Sequence, residues 1–183
     1  MPAPARDDAV VQPDDLGLLD GLSAGGEVYA PGRRLGQRPP AIALWTATQE
    51  SLGRTVVLQR PEVDAPEAVA DGLRREGRLL ARLDHPNILP VHDVIEDEAG
   101  PAIVCPDVPG ATWAEWLARP HEVRERFGPD DLLVFHVQVL LKVCRAIAYA
   151  HSHRVIHRDL RPGCIRVGDA GQVYVAHWSL ACR

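Results

Sequence analysis

Apolar and polar positions divide the chain into elements before any single residue is considered. AIALWTA (41–47) and RTVVLQ (54–59) are apolar and β-branched and meet at a turn around Gly53, which predicts two strands. DAPEAVADGLRREGRLLARLDH has Pro66 near its start and apolar residues at Val69, Leu73, Leu80 and Leu83, the spacing of a helix. ILPVHDV and PAIVCPD predict two more strands around the polar turn EDEAG. In TWAEW, Thr112 and Glu115 form a capping box that opens a short helix. A long helix is expected over 130–151, after Pro129. Leu133, Val137, Leu140, Cys144 and Ile147 share one stripe, with Leu132, Phe135, Val139 and Val143 beside it. CIRVGDAGQVYV closes the chain as a hairpin with a glycine-containing turn. No internal repeat is visible. The order is strand-rich with one helix, then mainly helical: an α+β chain.

One position breaks this pattern. Glu76 lies three residues after Leu73 and four before Leu80, on the apolar stripe itself. It is either a carboxylate at the rim with a solvated tip or a buried acid that needs a cation.

Composition narrows the class. The chain has 183 residues, enough for one sizeable core. Residues 1–28 carry six acids and one base, which accounts for the whole net charge of −5, and the remainder is balanced. This acidic, Pro- and Ala-rich segment reads as a flexible linker, and a neutral domain lacks the basic field of a nucleic-acid binder. The longest apolar run (132–150) is broken by His136, Gln138, Lys142 and Arg145, so no membrane span is expected. The N-terminus has no basic block followed by an apolar one, so no secretory signal is expected. Four cysteines without a CxxC pair suggest reduced thiols in the cytoplasm. Nineteen of the twenty bases are arginine, and Lys142 is the only lysine.

Four blocks in order carry a resemblance. LGQRPPAIALWTATQESLGRTVVLQ resembles a glycine-rich loop with the second and third strands of a Hanks-type bacterial serine/threonine protein kinase, in a style whose metal motif reads DWG. RREGRLLARLDHPNILPVHDV resembles the helix bearing that family's glutamate and the strand after it. AHSHRVIHRDLRPGC resembles the catalytic loop, and GQVYVAHWSLA the metal-binding segment. The resemblance covers about 29–183. It implies a protein-kinase-like fold: an antiparallel-sheet N-lobe with one long helix over 29–105, and a partial, mainly helical C-lobe over 106–183. The family continues beyond its metal segment, whereas this chain ends just after it, so the C-lobe is expected to be incomplete.

The resemblance also assigns roles. Asp159 matches the catalytic-loop base, Arg161 the basic residue usually lysine, and Glu76 the helix glutamate. Other positions depart from the family. The glycine-rich loop retains only Gly36, then reads Arg38, Pro39, Pro40, and proline lacks the amide that cradles phosphate. Gln59 stands at the third-strand lysine, and no other lysine replaces it. Cys164 stands at the metal-binding asparagine and His177 at the metal-binding aspartate, soft or nitrogen donors where magnesium wants oxygen. Arg166 falls where an apolar residue usually lies beneath adenine. Cys164 and His177 would suit zinc, but no further ligands can be named. The family's hydrophobic spine would run through Val91, Leu80, Trp178 and His157.

The sequence therefore points to a degenerate kinase-like (pseudokinase) module. It would act through a protein partner or self-association, with Asp159 and Arg161 idle, and no cofactor, nucleic acid or membrane is expected. The alternatives are an atypical kinase that still uses ATP and magnesium, and a fragment of a larger kinase. Glu76 is expected to point toward Gln59.

Overall fold

The computed structural model describes residues 22–24 and 27–183. The linker expected over 1–28 otherwise lies outside the described residues. Its end does not, and here the expectation is corrected: β1 (Leu22–Ala24) pairs antiparallel with the start of β2 (Glu27–Arg38). The sheet thus begins before residue 29. The chain divides into two compact units, one reaching Arg78 and including Val91–Asp107, the other comprising Leu79–Pro90 and Val108–Arg183.

The first unit is a six-stranded antiparallel sheet and a helix. Its strands are β1, β2, β3 (Ile42–Gln49), β4 (Arg54–Pro61), β5 (Asp93–Asp97) and β6 (Gly100–Pro106), in the order β1-β2-β3-β4-β6-β5. Helix α1 (Glu67–Leu80) connects β4 to β5. Alternation along the strands sorts side chains onto two faces. Ala43, Trp45 and Ala47 of β3 share a buried cluster with Val56, Leu58, Ala102, Val104, Ile95 and Tyr29. Opposite-parity residues Ile42 and Ile103 pack with Leu73 of α1, joined by Leu44, Val69 and Val91. Leu44, Gln59 and Ile103 are direct cross-strand neighbours, so register alone puts Gln59 on the helix-covered face. The sheet curls: Tyr29 Oη on β2 donates to Asp93 Oδ2 at the start of β5, 3.3 Å away.

Two local results differ from the sequence reading. β2 is a strand that alternation does not predict, because Pro31, Gly32 and Gly36 break the pattern. The structure accommodates them as register shifts between Pro31 and Arg34 and between Arg34 and Gly36. β5 begins at Asp93, not at Ile88. Pro90 interrupts the run, and the chain before it is taken up within the second unit: Leu89 N–H donates to Val175 O, and Val175 N–H to Asn87 O.

The second unit holds α2 (Trp113–Ala118), α3 (Pro120–Phe127), α4 (Leu132–Ser152), a 3₁₀ turn (Pro162–Cys164), and a sheet of β7 (Gly110–Thr112), β8 (Ile165–Gly168) and β9 (Val173–Val175). The Thr112–Glu115 capping box forms as expected, with Thr112 N–H donating to Glu115 Oε2 at 2.7 Å. Periodicity misses α3, although Pro120 at its first turn and Gly128 in the left-handed region at its end mark both boundaries. Trp116 Nε1 donates to Val167 O, which fixes α2 on the sheet.

Helix α4 packs on a different stripe from the one expected. Val139, Val143, Ala146 and Ala150 are buried, while Leu133, Val137, Leu140 and Cys144 are exposed. Large apolar residues dominate the periodicity, but alanines permit the closer approach, so the packed face contains Ala146 and Ala150. The expectation about spans is also corrected. Among the described residues α4 alone is long and apolar enough to cross a membrane by length and composition, because its polar interruptions are too few to offset the rest.

Candidate functional site

Each unit carries its own share of the residues singled out in the sequence. In the first unit, Glu76 is buried, which settles the choice between a rim acid and a paired one. Its partner is Arg38, at the end of β2. Arg38 Nη2 lies 2.7 Å from Glu76 Oε2, with both side chains 3% exposed or less. The same guanidinium donates from Nε to Gln59 Oε1 at 2.7 Å, and Gln59 Nε2 reaches Cys105 Sγ at 3.2 Å. Glu76 therefore meets Gln59 through Arg38. The cation beside Glu76 is thus an arginine of β2, not a lysine of β4. The sequence reading looks only for a lysine and places residue 38 in a phosphate loop. The signal available to it was a second unexplained charge, Arg38, directly before two prolines and the apolar start of β3.

The path of β2 explains the arginine's direction. Gly36 has a φ of 132°, a conformation that favours glycine, and it sits at the register shift. Beyond it Gln37 is exposed and Arg38 buried, paired across to Ile42 in the core facing α1. The segment Arg38–Ala41 then turns through a cis Pro39–Pro40 peptide. Two successive prolines leave two positions without an amide hydrogen. Burial pushes the thiol of Cys105 up to about 11, so this end of the cluster is an uncharged thiol at neutral pH.

In the second unit the catalytic-loop residues are held to one another. Arg161 Nε lies 3.2 Å from both carboxylate oxygens of Asp159. Cys164 Sγ donates to Asp159 O at 3.2 Å, and burial, the largest influence, raises its thiol above the ordinary range. His157 is buried. Its Nδ1 accepts from Asp159 N–H at 3.3 Å, leaving Nε2–H to donate to Ala176 O at 3.0 Å. Its ring lies 4.5 Å from that of Trp178, whose Nε1 donates to Val175 O. Ala176 N–H in turn donates to Cys164 O.

Arg158 and His177 both adopt left-handed backbone, with φ of 68° and 61°. His177 thus sits in a turn of unusual conformation between buried Ala176 and Trp178. Arg166 donates from Nε and Nη2 to Val108 O at 3.1 and 2.9 Å, so its guanidinium is engaged with the chain just after β6. Among the described residues no three His, Cys, Asp or Glu side chains gather as a metal site.

A thiol and an imidazole stand at the two positions that resemble the family's metal ligands, and Mg²⁺ prefers hard oxygen donors. Gln59 is neutral, and Arg38 is already committed to Glu76 and Gln59.

Comparison with known proteins agrees with the fold. The chain is 30% identical over 169 residues to a probable serine/threonine-protein kinase PknB of Bifidobacterium longum, covering 86% of this chain and 23% of that protein. It is 33% identical over 152 residues to the DNA damage-responsive serine/threonine-protein kinase RqkA of Deinococcus radiodurans, covering 77% and 22%. To serine/threonine-protein kinase PknD of Protochlamydia amoebophila it is 33% identical over 112 residues, covering 58% and 11%. The chain thus spans less than a quarter of the length of these relatives. The family model for the protein kinase domain matches residues 45–183. With a curled antiparallel small lobe, one helix carrying Glu76, and an HRD loop at 157–159, the chain belongs to the protein kinase domain family, of the Hanks type found in bacterial serine/threonine kinases.

Proposed function

We propose that this chain is a pseudokinase module, a kinase-like domain that does not transfer phosphate and acts through protein contacts in the cytoplasm. The observation that carries this reading is the replacement of both metal-ligand positions by Cys164 and His177, with the Cys164 thiol turned onto the backbone of Asp159. Asp159 and Arg161 are retained but bonded to each other, an arrangement that stabilises the loop without any substrate. The four free thiols support a reducing compartment. The exposed apolar row of α4, led by Leu133 at 69% exposure, supports a role in contacts, with a second copy of the chain as the partner that light scattering tests first. Lys142 Nζ donates to Gly171 O and His136 Nδ1 accepts from Trp113 Nε1, contacts that hold α4 to its own unit and favour a protein partner over a bilayer.

The decisive experiment is a thermal-shift titration with ATP, with and without magnesium or manganese, alongside an autophosphorylation assay. Each absent charge-assisted contact is worth about 1.5–3 kcal/mol, so losing two or three weakens binding by several orders of magnitude. No magnesium-dependent shift and no phosphorylation are expected. Stabilisation by several degrees with Mg-ATP, abolished in Asp159→Asn, overturns the reading. One observation favours a second reading, an atypical kinase that uses ATP: Arg38 restores the cation opposite Glu76. The same titration separates the two.

A further inference from the structure

Arg38, Gln59, Glu76 and Cys105 come from four different elements, β2, β4, α1 and β6, and all four are buried. An arginine and a glutamate this deep persist as a pair, because removing one leaves an uncompensated charge in a low-dielectric interior. The guanidinium fork suits this place: Nε serves Gln59 while Nη2 serves Glu76, each at 2.7 Å. A lysine ammonium from β2 would be a point charge without that fixed two-way geometry. The helix, meanwhile, has a second anchor of the same kind on the solvent side, where Arg74 bonds Glu96 on β5. That anchor is exposed and worth little.

We propose that Arg38 is the positioning residue of the small lobe: a cation supplied from β2 rather than from position 59 on β4, which holds Glu76 and Gln59 inward without a bound phosphate. The side chain at position 59 is then free to be neutral because the charge has moved from β4 to β2. Glu76 keeps its place on α1 by an internal partner, so the helix is set by the fold rather than by a ligand. This assignment is independent of whether the protein transfers phosphate, since it concerns what fixes Glu76 and not what binds beside it.

The test moves the cation back. Thermal unfolding is measured for wild type, Arg38→Met, Gln59→Lys, the double variant Arg38→Met with Gln59→Lys, and the apolar double Arg38→Met with Glu76→Leu. Arg38→Met keeps the stem but takes the guanidinium away from the buried carboxylate, and its midpoint should fall by roughly 10 °C. Gln59→Lys crowds two cations and should also lower it. Together they should recover more than half of the loss, because the introduced lysine then faces Glu76 from β4. A normal midpoint for Arg38→Met overturns the proposal. So does failure of the relocated lysine to recover stability, and a well-folded apolar double would then show that the pair matters only as buried volume. If Arg38→Met does not fold, recovery in the lysine double alone still supports it, and its absence there still refutes it. Nucleotide titration of the same proteins reads the pseudokinase proposal separately.

Discussion

Replacing Gly72 or Gly77 by alanine tests how closely α1 must lie on the sheet to deliver Glu76. Both glycines are inside the helix, where alanine is favoured by about 0.8–1 kcal/mol. At Gly72 a Cβ would meet nothing nearer than Arg75 Nη2 at 3.9 Å, so Gly72→Ala should gain that amount in full. At Gly77 the same atom would lie 2.9 Å from Val94 Cγ2 and 3.3 Å from Val94 Cγ1 and Ile103 Cγ1. Overpacking of this kind costs about 1–3 kcal/mol, which exceeds the helical gain and leaves a net loss of about 1 kcal/mol. For a chain of this size each kcal/mol moves the unfolding midpoint by about 2–4 °C. Thermal denaturation should therefore shift upward for Gly72→Ala and downward for Gly77→Ala. Relief of the clash by lifting the helix would also draw Glu76 from Arg38, adding to the loss. If Gly77→Ala is as stabilising as Gly72→Ala, the close approach of α1 to β5 and β6 is wrong, and with it the geometry given for Glu76.

Further outcomes follow from burial and charge. On α4, Val139→Glu should unfold the protein or cost several kcal/mol, because Val139 is 3% exposed, while Leu140→Glu at 46% exposure should change stability by less than about 0.5 kcal/mol, as read by circular-dichroism melts. Equal effects at the two positions would refute the assigned packing face. The phenol of Tyr29 is pushed up to about 12 from an ordinary 10, first by burial and then by Asp93. Below pH 10 both states keep the proton and stability is unaffected; between pH 10 and 12 only the unfolded chain ionises, so stability falls. Tyr29→Phe should remove that part of the alkaline decline in a pH series of melts. Cys144, exposed, should react with iodoacetamide at about pH 8 within minutes, while Cys105 should stay unlabelled until denaturant is added; peptide mass spectrometry distinguishes them.

Periodicity and local chemistry were enough for the elements whose signals are contained within a few residues. β3 and β4 follow from β-branched runs, α1 from its stripe and Pro66, and the Thr112–Glu115 box from two residues three apart. The kinase family itself was legible, because four blocks in order are a property of the string. What the sequence could not decide was partnership across distance. Whether Glu76 was solvated or buried depended on a residue 38 positions earlier, and the bulges in β2 that turn Arg38 inward are set by pairing with β3. The packed face of α4 differs from its periodic stripe for a related reason: periodicity ranks residues by size and apolarity, whereas the buried face is Val139, Val143, Ala146 and Ala150. Propensity acts within a turn or a strand, so a chain can declare its elements alone. Charges and faces acquire their meaning only from whatever the fold places against them, and in this protein that was an arginine where the family's pattern directs attention to a lysine.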